Sequence, residues 1–177
     1  MVDDQVSFPT LKNRIDLADM LQHRSVRFGA EVGVWKGGYS EVLLQRTGVE
    51  VLYCIDAWDG TGMSQEFNGA AIMEEALVRL RTYGDRVQVM RGKSVDMAGH
   101  IRDGRLDFVY IDADHSFEGC TADVKAYVHK LRSGGVLCGH DYCNRRGKGV
   151  KRAVDELFGI RVKHTEERCP SWWVIIP

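Results

Sequence analysis

No stretch of this sequence approaches the roughly 20 consecutive apolar residues that span a bilayer. The start has no basic, apolar leader and carries Asp3 and Asp4 instead. The five cysteines (54, 120, 138, 143 and 169) are an odd number with no C-x-x-C pair, which argues against a disulfide framework and for a reducing compartment. Cys54, Cys120 and Cys138 lie in apolar patterns and read as small core residues. Charge of one sign is also lacking. A net charge of −1 gives no field to steer the chain to nucleic acid or an anionic membrane. Arg145, Arg146, Lys148, Lys151 and Arg152 are the one basic cluster, read first as a solvated face. Repeats, low-complexity tracts and linkers are absent too. These absences predict one soluble, cytoplasmic domain over 1–177, with an N-terminal helix within 1–25.

What recurs is an apolar strand, a Gly or Asp at its end, then an amphipathic helix. Strands are expected at 28–34, 50–55, 86–90, 106–111, 136–139, 160–164 and 172–176. Apolar stripes at helical spacing include Met73, Ala76, Leu77 and Leu80, and Val150, Ala153, Val154 and Leu157. Ser133-Gly134-Gly135 reads as the stop of the helix that carries Val124, Tyr127, Val128 and Leu131. Alternating β and α elements imply a parallel sheet with right-handed crossovers. The link from Thr165 to Ser171 is too short for such a crossover, so the last two strands form an antiparallel hairpin at one end. The fold class is therefore α/β, a Rossmann-like doubly wound sheet of about seven strands. Trp172 and Trp173 alternate faces, one toward the core and one toward a neighbour.

Ligands of open α/β sheets bind beyond the carboxyl ends of the strands. The residues placed there are Glu31, Gly33, Gly37 and Gly38; Asp56; Ser94; Asp112, Asp114 and His115; and His140 and Asp141. Each has a plain alternative, such as a turn glycine, a helix cap at Asp114 or a helix-start histidine at His115. Together they favour a ligand crevice. The first loop reads G-x-x-x-G-G and lacks the G-x-G-x-x-G of dinucleotide binders. Asp56, at the next strand end, suits ribose hydroxyls. Glu31, Trp35 and Trp58 suit an ammonium and a sulfonium better than a pyrophosphate. Asp112 and Asp141 end neighbouring strands and suit a divalent metal, Mg²⁺ or another. The imidazole of His140 is a poor ligand for Mg²⁺ and a better one for softer ions. His115 is the candidate general base. The loops 57–69 and Tyr142–Gly149 lie at the same end and could cover the site.

The segments E-V-G-V-W-K-G-G-Y-S, I-D-A-W, Y-I-D-A-D-H-S-F-E-G, L-R-S-G-G-V-L-C-G-H-D-Y and G-V-K-R-A-V-D-E-L resemble the small class I S-adenosylmethionine (SAM)-dependent methyltransferases. They resemble especially a bacterial branch akin to macrolide-sugar O-methyltransferases. The resemblance implies that Glu31, Gly33, Trp35, Gly37 and Gly38 hold the methionine end of SAM. Asp56 would hold the ribose, Ala57 would belong to the cofactor site, Trp58 would flank the adenosine, and Ser94 would approach the adenine. Asp112 would face the methyl donor and the acceptor, and Asp112, His140 and Asp141 would be metal candidates. The partner implied is a small-molecule acceptor, with no nucleic acid or membrane. About 25 residues precede the first strand, which leaves an acceptor pocket that is open or completed by a second subunit of a homo-oligomer. The alternatives are a nicotinamide-dependent oxidoreductase, a hydroxylase-like protein (cephalosporin hydroxylase resembles this branch) and a binding module that transfers no methyl group.

Overall fold

The computed structural model describes residues 10–60, 68–144 and 149–177. Asp3, Asp4, Arg145, Arg146 and Lys148 lie outside them, as do parts of both expected covering loops. Of the basic cluster, Lys151 pairs with Asp155 and Arg152 with Glu156, each one helical turn on, as a solvated helix face requires.

Seven strands form one sheet in the order β3-β2-β1-β4-β5-β7-β6. They are β1 (Phe28–Val32), β2 (Val51–Asp56), β3 (Val87–Arg91), β4 (Leu106–Ile111), β5 (Leu131–Gly139), β6 (Lys163–His164) and β7 (Trp172–Ile175). Strands β1 to β5 are parallel, and β7 runs antiparallel to both β5 and β6. Every residue of β4 is buried, as a central parallel strand covered on both faces demands.

The helices are α1 (Arg14–His23), α2 (Gly38–Arg46), α3 (Gly69–Leu80), α4 (Ser94–Ala98), α5 (Phe117–Tyr127) and α6 (Val150–Phe158). Period-2 alternation sends Phe108 and Tyr110 to one face, where Leu17, Leu21, Leu43 and Leu80 of α1 to α3 meet them. Val109 and Ile111 face the other way and pack on Val124, Tyr127 and Val154 of α5 and α6. Cys54, Cys120 and Cys138 are buried, free thiols in these layers.

Three local expectations are corrected. Ser133-Gly134-Gly135 does not stop a helix. Helix α5 ends at Tyr127, a short 3₁₀ turn follows, and Leu131 already begins β5. Gly134, at φ +75°, sits inside β5 where the pairing with β4 shifts register, so it serves a bulge. The strand expected at 160–164 shrinks to Lys163–His164, because Gly159–Arg161 form a 3₁₀ turn. Trp172 and Trp173 do alternate faces, yet both are core, in the two opposite layers. Strand β6 lies outside β7, so β7 is not the edge of the sheet.

The strand order steps outward in both directions from β1 and β4, which makes their carboxyl ends the switch point of the sheet. Gly33 stands there at φ +95°, and a Cβ on it would lie 2.2 Å from the Asp112 carbonyl oxygen. Only glycine lets the two strand ends approach so closely.

Candidate active site

On one side of the switch point, Asp56 organises the loop after β1. Its Oδ2 accepts from the Val34 and Trp35 amides at 2.9 and 2.8 Å, and its Oδ1 accepts from the Trp58 amide at 2.8 Å. Trp35 and Trp58 both sit at positive φ, +52° and +47°, where a non-glycine residue needs such anchoring. Trp35 is exposed. Trp58, expected to flank adenosine, instead buries its ring in the layer with Tyr39 and Leu80 and donates its Nε1–H to the Trp35 carbonyl at 2.8 Å. It supports the loop from behind. Ala57 is half-buried.

The loop leads through Gly37, at φ +75°, into α2, whose first turn has no side-chain cap. A Cβ on Gly38 would meet nothing within 4 Å. The open amides of this helix start, with their positive dipole end, suit the carboxylate of an amino-acid ligand. Below them Glu31 is buried and accepts a hydrogen bond from the Ser40 hydroxyl, in the first turn of α2. Ser40 lies in the quoted motif, nine positions after Glu31, but was not singled out from the sequence. Ser94, expected near adenine, gives its hydroxyl to the buried Asp123 of α5. Burial raises the Asp123 carboxyl to about 6, against the Ser94 hydrogen bond.

Burial also raises Glu31, from an ordinary value near 4.5 to about 8; Asp112 and Asp56 add to the rise, while Ser40 and Arg14 oppose it. A carboxyl raised on folding contributes stability that is full below its unfolded pKa and is lost as pH climbs to the folded one. Wild-type Tm should therefore fall between about pH 4.5 and pH 8 relative to Glu31→Gln, which keeps the shape without the charge. Parallel Tm profiles of the two proteins would show that Glu31 is ionised in the native state.

Across the switch point, Asp112 follows β4 and His140 and Asp141 follow β5. Asp141 is buried and turns the chain at φ +59°. His115 reaches in from the β4–α5 turn, held there by two side-chain hydrogen bonds. Asp114 accepts from the Ser116 amide, and Ser116 (rather than Asp114) caps α5 by accepting from the Gly119 amide. His115 Nε2 lies 3.1 Å from both Asp112 Oδ1 and Asp141 Oδ2. His140 Nδ1 stands farther off, 3.9 Å from Asp112 and 3.7 Å from Asp141. The compact set is thus Asp112, His115 and Asp141, whose donor atoms lie within 4.8 Å of one another. As a metal site, two carboxylates and an imidazole fit a manganese-, iron- or zinc-like ion better than Mg²⁺. Arg14 of α1, for which the sequence offered no local signal, is coupled to Asp112. Burial opposes its charge, but Tyr110 and Asp112 raise its pKa on balance.

A doubly wound sheet with an acidic, glycine-bearing loop on one side of its switch point and a carboxylate–imidazole cluster on the other places two polar sites at one ligand crevice. A family model for the methyltransferase domain matches residues 30–142, from β1 through the cluster, and the chain belongs to that family. No curated protein sequence matches the chain. Among solved structures it resembles the O-methyltransferase from Bacillus cereus in complex with SAH, S-adenosylhomocysteine, at TM-score 0.70 and 19% identity over 93% of this chain and 80% of that one. It also resembles the O-methyltransferase TomG from Streptomyces achromogenes, involved in tomaymycin synthesis and in complex with SAM (TM-score 0.63, 19% identity, 93% and 80%). Spermidine synthase from Thermotoga maritima shares the fold as well, at TM-score 0.63 and 16% identity over 90% of this chain and 57% of that one. At these identities the likeness is one of fold, so the reaction is read from the site.

Proposed function

We propose that this protein transfers the methyl group of SAM to a hydroxyl of a small molecule or sugar. The observation that carries the reading is the pairing of two sites across one switch point. The Asp56-anchored loop lies beyond β1 and β2, and the His115 cluster lies beyond β4 and β5. The α2 amides meet the methionine carboxylate, and Glu31 lies beneath its ammonium. Asp56 takes ribose. Gly38, where a Cβ would meet nothing within 4 Å, leaves the backbone open to the donor, while Gly33 and Gly37 supply the backbone turns that shape the loop.

Methyl transfer is an in-line displacement. The acceptor oxygen forms a bond to the methyl carbon as the carbon–sulfur bond breaks, and the sulfonium leaves as the neutral thioether of SAH. The protein must align the two and take the hydroxyl proton. Two carboxylates on His115 Nε2 hold that nitrogen as a donor, which leaves Nδ1 with the lone pair. In this arrangement Asp112 and Asp141 orient the imidazole, Nδ1 receives the proton, and the resulting imidazolium stays beside two negative charges. The His115 side chain is 37% exposed, open enough for an acceptor to reach.

A divalent ion is the second reading of the same cluster, favoured by the closeness of the donor atoms. Asp112, His115 and Asp141 would hold it, and when bound it would lower the pKa of the acceptor hydroxyl. Turnover that requires an added divalent ion and is lost in chelator would select this reading over proton transfer to His115. No described helix is long and apolar enough to cross a membrane. A cytoplasmic location, a small-molecule acceptor and a pocket open or closed by a second copy belong to the proposal.

Calorimetric titration with SAH and, separately, NAD⁺ tests the donor site. Micromolar SAH binding without an NAD⁺ signal is expected. Binding of NAD⁺ in preference to SAH would favour the oxidoreductase alternative.

A further inference from the structure

Cys143, in the loop after β5, and Cys169, ahead of β7, are 26 positions apart in the chain, yet their Sγ atoms lie 3.4 Å from each other. Both are free thiols and half-buried. The Cys169 thiol donates to Asp141 Oδ1 at 2.7 Å, while Oδ2 of the same carboxylate faces His115. The two segments are clamped together, since the Tyr142 amide donates to the Pro170 carbonyl at 2.9 Å. One carboxylate oxygen and two sulfurs thereby converge within 4.8 Å.

We propose that Asp141, Cys143 and Cys169 form a binding site for a thiophilic divalent cation of the zinc class, joined to His115 through the second oxygen of Asp141. Hard Mg²⁺ takes oxygen ligands and would ignore two thiols; zinc takes thiolate and carboxylate together. Tetrahedral zinc, with Zn–S near ~2.3 Å and Zn–O near ~2.1 Å, sets its sulfurs about 3.8 Å apart and sulfur to oxygen about 3.6 Å apart. The present separations of 3.4 and 2.7 Å need only open by less than ~1 Å as the thiol proton leaves. Each bound ion displaces both thiol protons to solvent, giving two thiolates and one carboxylate around the cation. Three protein ligands leave one position for water. The ion would fix Asp141 from the side opposite His115, and so hold that carboxylate still against the imidazole.

The site does not depend on methyl transfer, and its test does not read activity. The full chain, reduced and stripped with chelator, is titrated anaerobically with Co²⁺, which reports thiolate ligation by a near-ultraviolet charge-transfer band. One equivalent should bind, be displaced by Zn²⁺, and release two protons. Cys143→Ser and Cys169→Ser should each weaken binding by more than ~100-fold, beyond the loss typical of an outer-shell partner. Asp112→Asn, which alters only the neighbouring cluster, should keep the band. Far-ultraviolet circular dichroism confirms that each variant is folded. Absence of the band in folded wild type would overturn the proposal, as would a band that survives Cys169→Ser or requires Asp112. A Cys143–Cys169 disulfide persisting in a reducing glutathione buffer would also overturn it, and would make the thiols a redox pair.

Discussion

Asp56→Ala is expected to weaken SAH binding by ~100-fold or more and to lower the stability of the protein without ligand as well. A carboxylate offers about four lone-pair sites. Val34, Trp35 and Trp58 amides occupy three of them. One remains for a ribose hydroxyl, and a second hydroxyl can be accepted only if one amide lets go. Losing a hydrogen bond to a charged acceptor costs about 1.5–3 kcal/mol. Alanine adds to this by orphaning three amides in a loop where Trp35 and Trp58 are held at positive φ. Asp56→Asn should fall between the two proteins, because its amide group can accept on one side only. Calorimetry with SAH and thermal melts of the ligand-free proteins separate the two contributions. An Asp56→Ala protein that binds SAH as wild type does would place the ribose elsewhere.

His115→Ala is expected to reduce kcat by ~10²–10⁴-fold, the usual worth of a positioned acid or base. SAH affinity should stay unchanged, because His115 lies across the switch point from the Asp56 loop. Its removal leaves Asp112 and Asp141 facing each other without the group that both now meet at 3.1 Å. Single-turnover rates with saturating SAM report the chemical step, and SAH titration reports the donor site. Equal losses in both measurements would mean that His115 supports the fold of the β4–α5 turn, where its carbonyl also accepts from the Gly149 amide.

Much of this was legible in the sequence. Seven strands, their mostly parallel pairing and the closing hairpin follow from apolar runs punctuated by Gly and Asp and from the short Thr165–Ser171 link. Glu31, Asp56, Asp112 and Asp141 could be placed at strand ends because the β-then-α order fixes which end faces the crevice. Less legible was anything set by backbone reversal at a non-glycine residue. Positive φ at Trp58 turns its indole inward, and positive φ at Asp141 accompanies the change that brings His115, rather than His140, onto both carboxylates. Contacts between distant segments left no local trace. The electrostatic coupling of Arg14 to Asp112, the Ser94–Asp123 hydrogen bond and the Cys143–Cys169 pair depend on helices and hairpins packing together. Gly134 misled because a glycine at a strand bulge and a glycine ending a helix look alike in sequence.

The most direct test of the account is incubation with SAM carrying a deuterated methyl group and a panel of hydroxyl-bearing small molecules and sugars, followed by mass spectrometry. The account predicts an acceptor that gains the intact labelled methyl on oxygen, one SAH formed per transfer, and no transfer by His115→Ala beyond ~1% of wild type. Tight SAH binding with no labelled product from any acceptor, or transfer at an undiminished rate by His115→Ala, would contradict it.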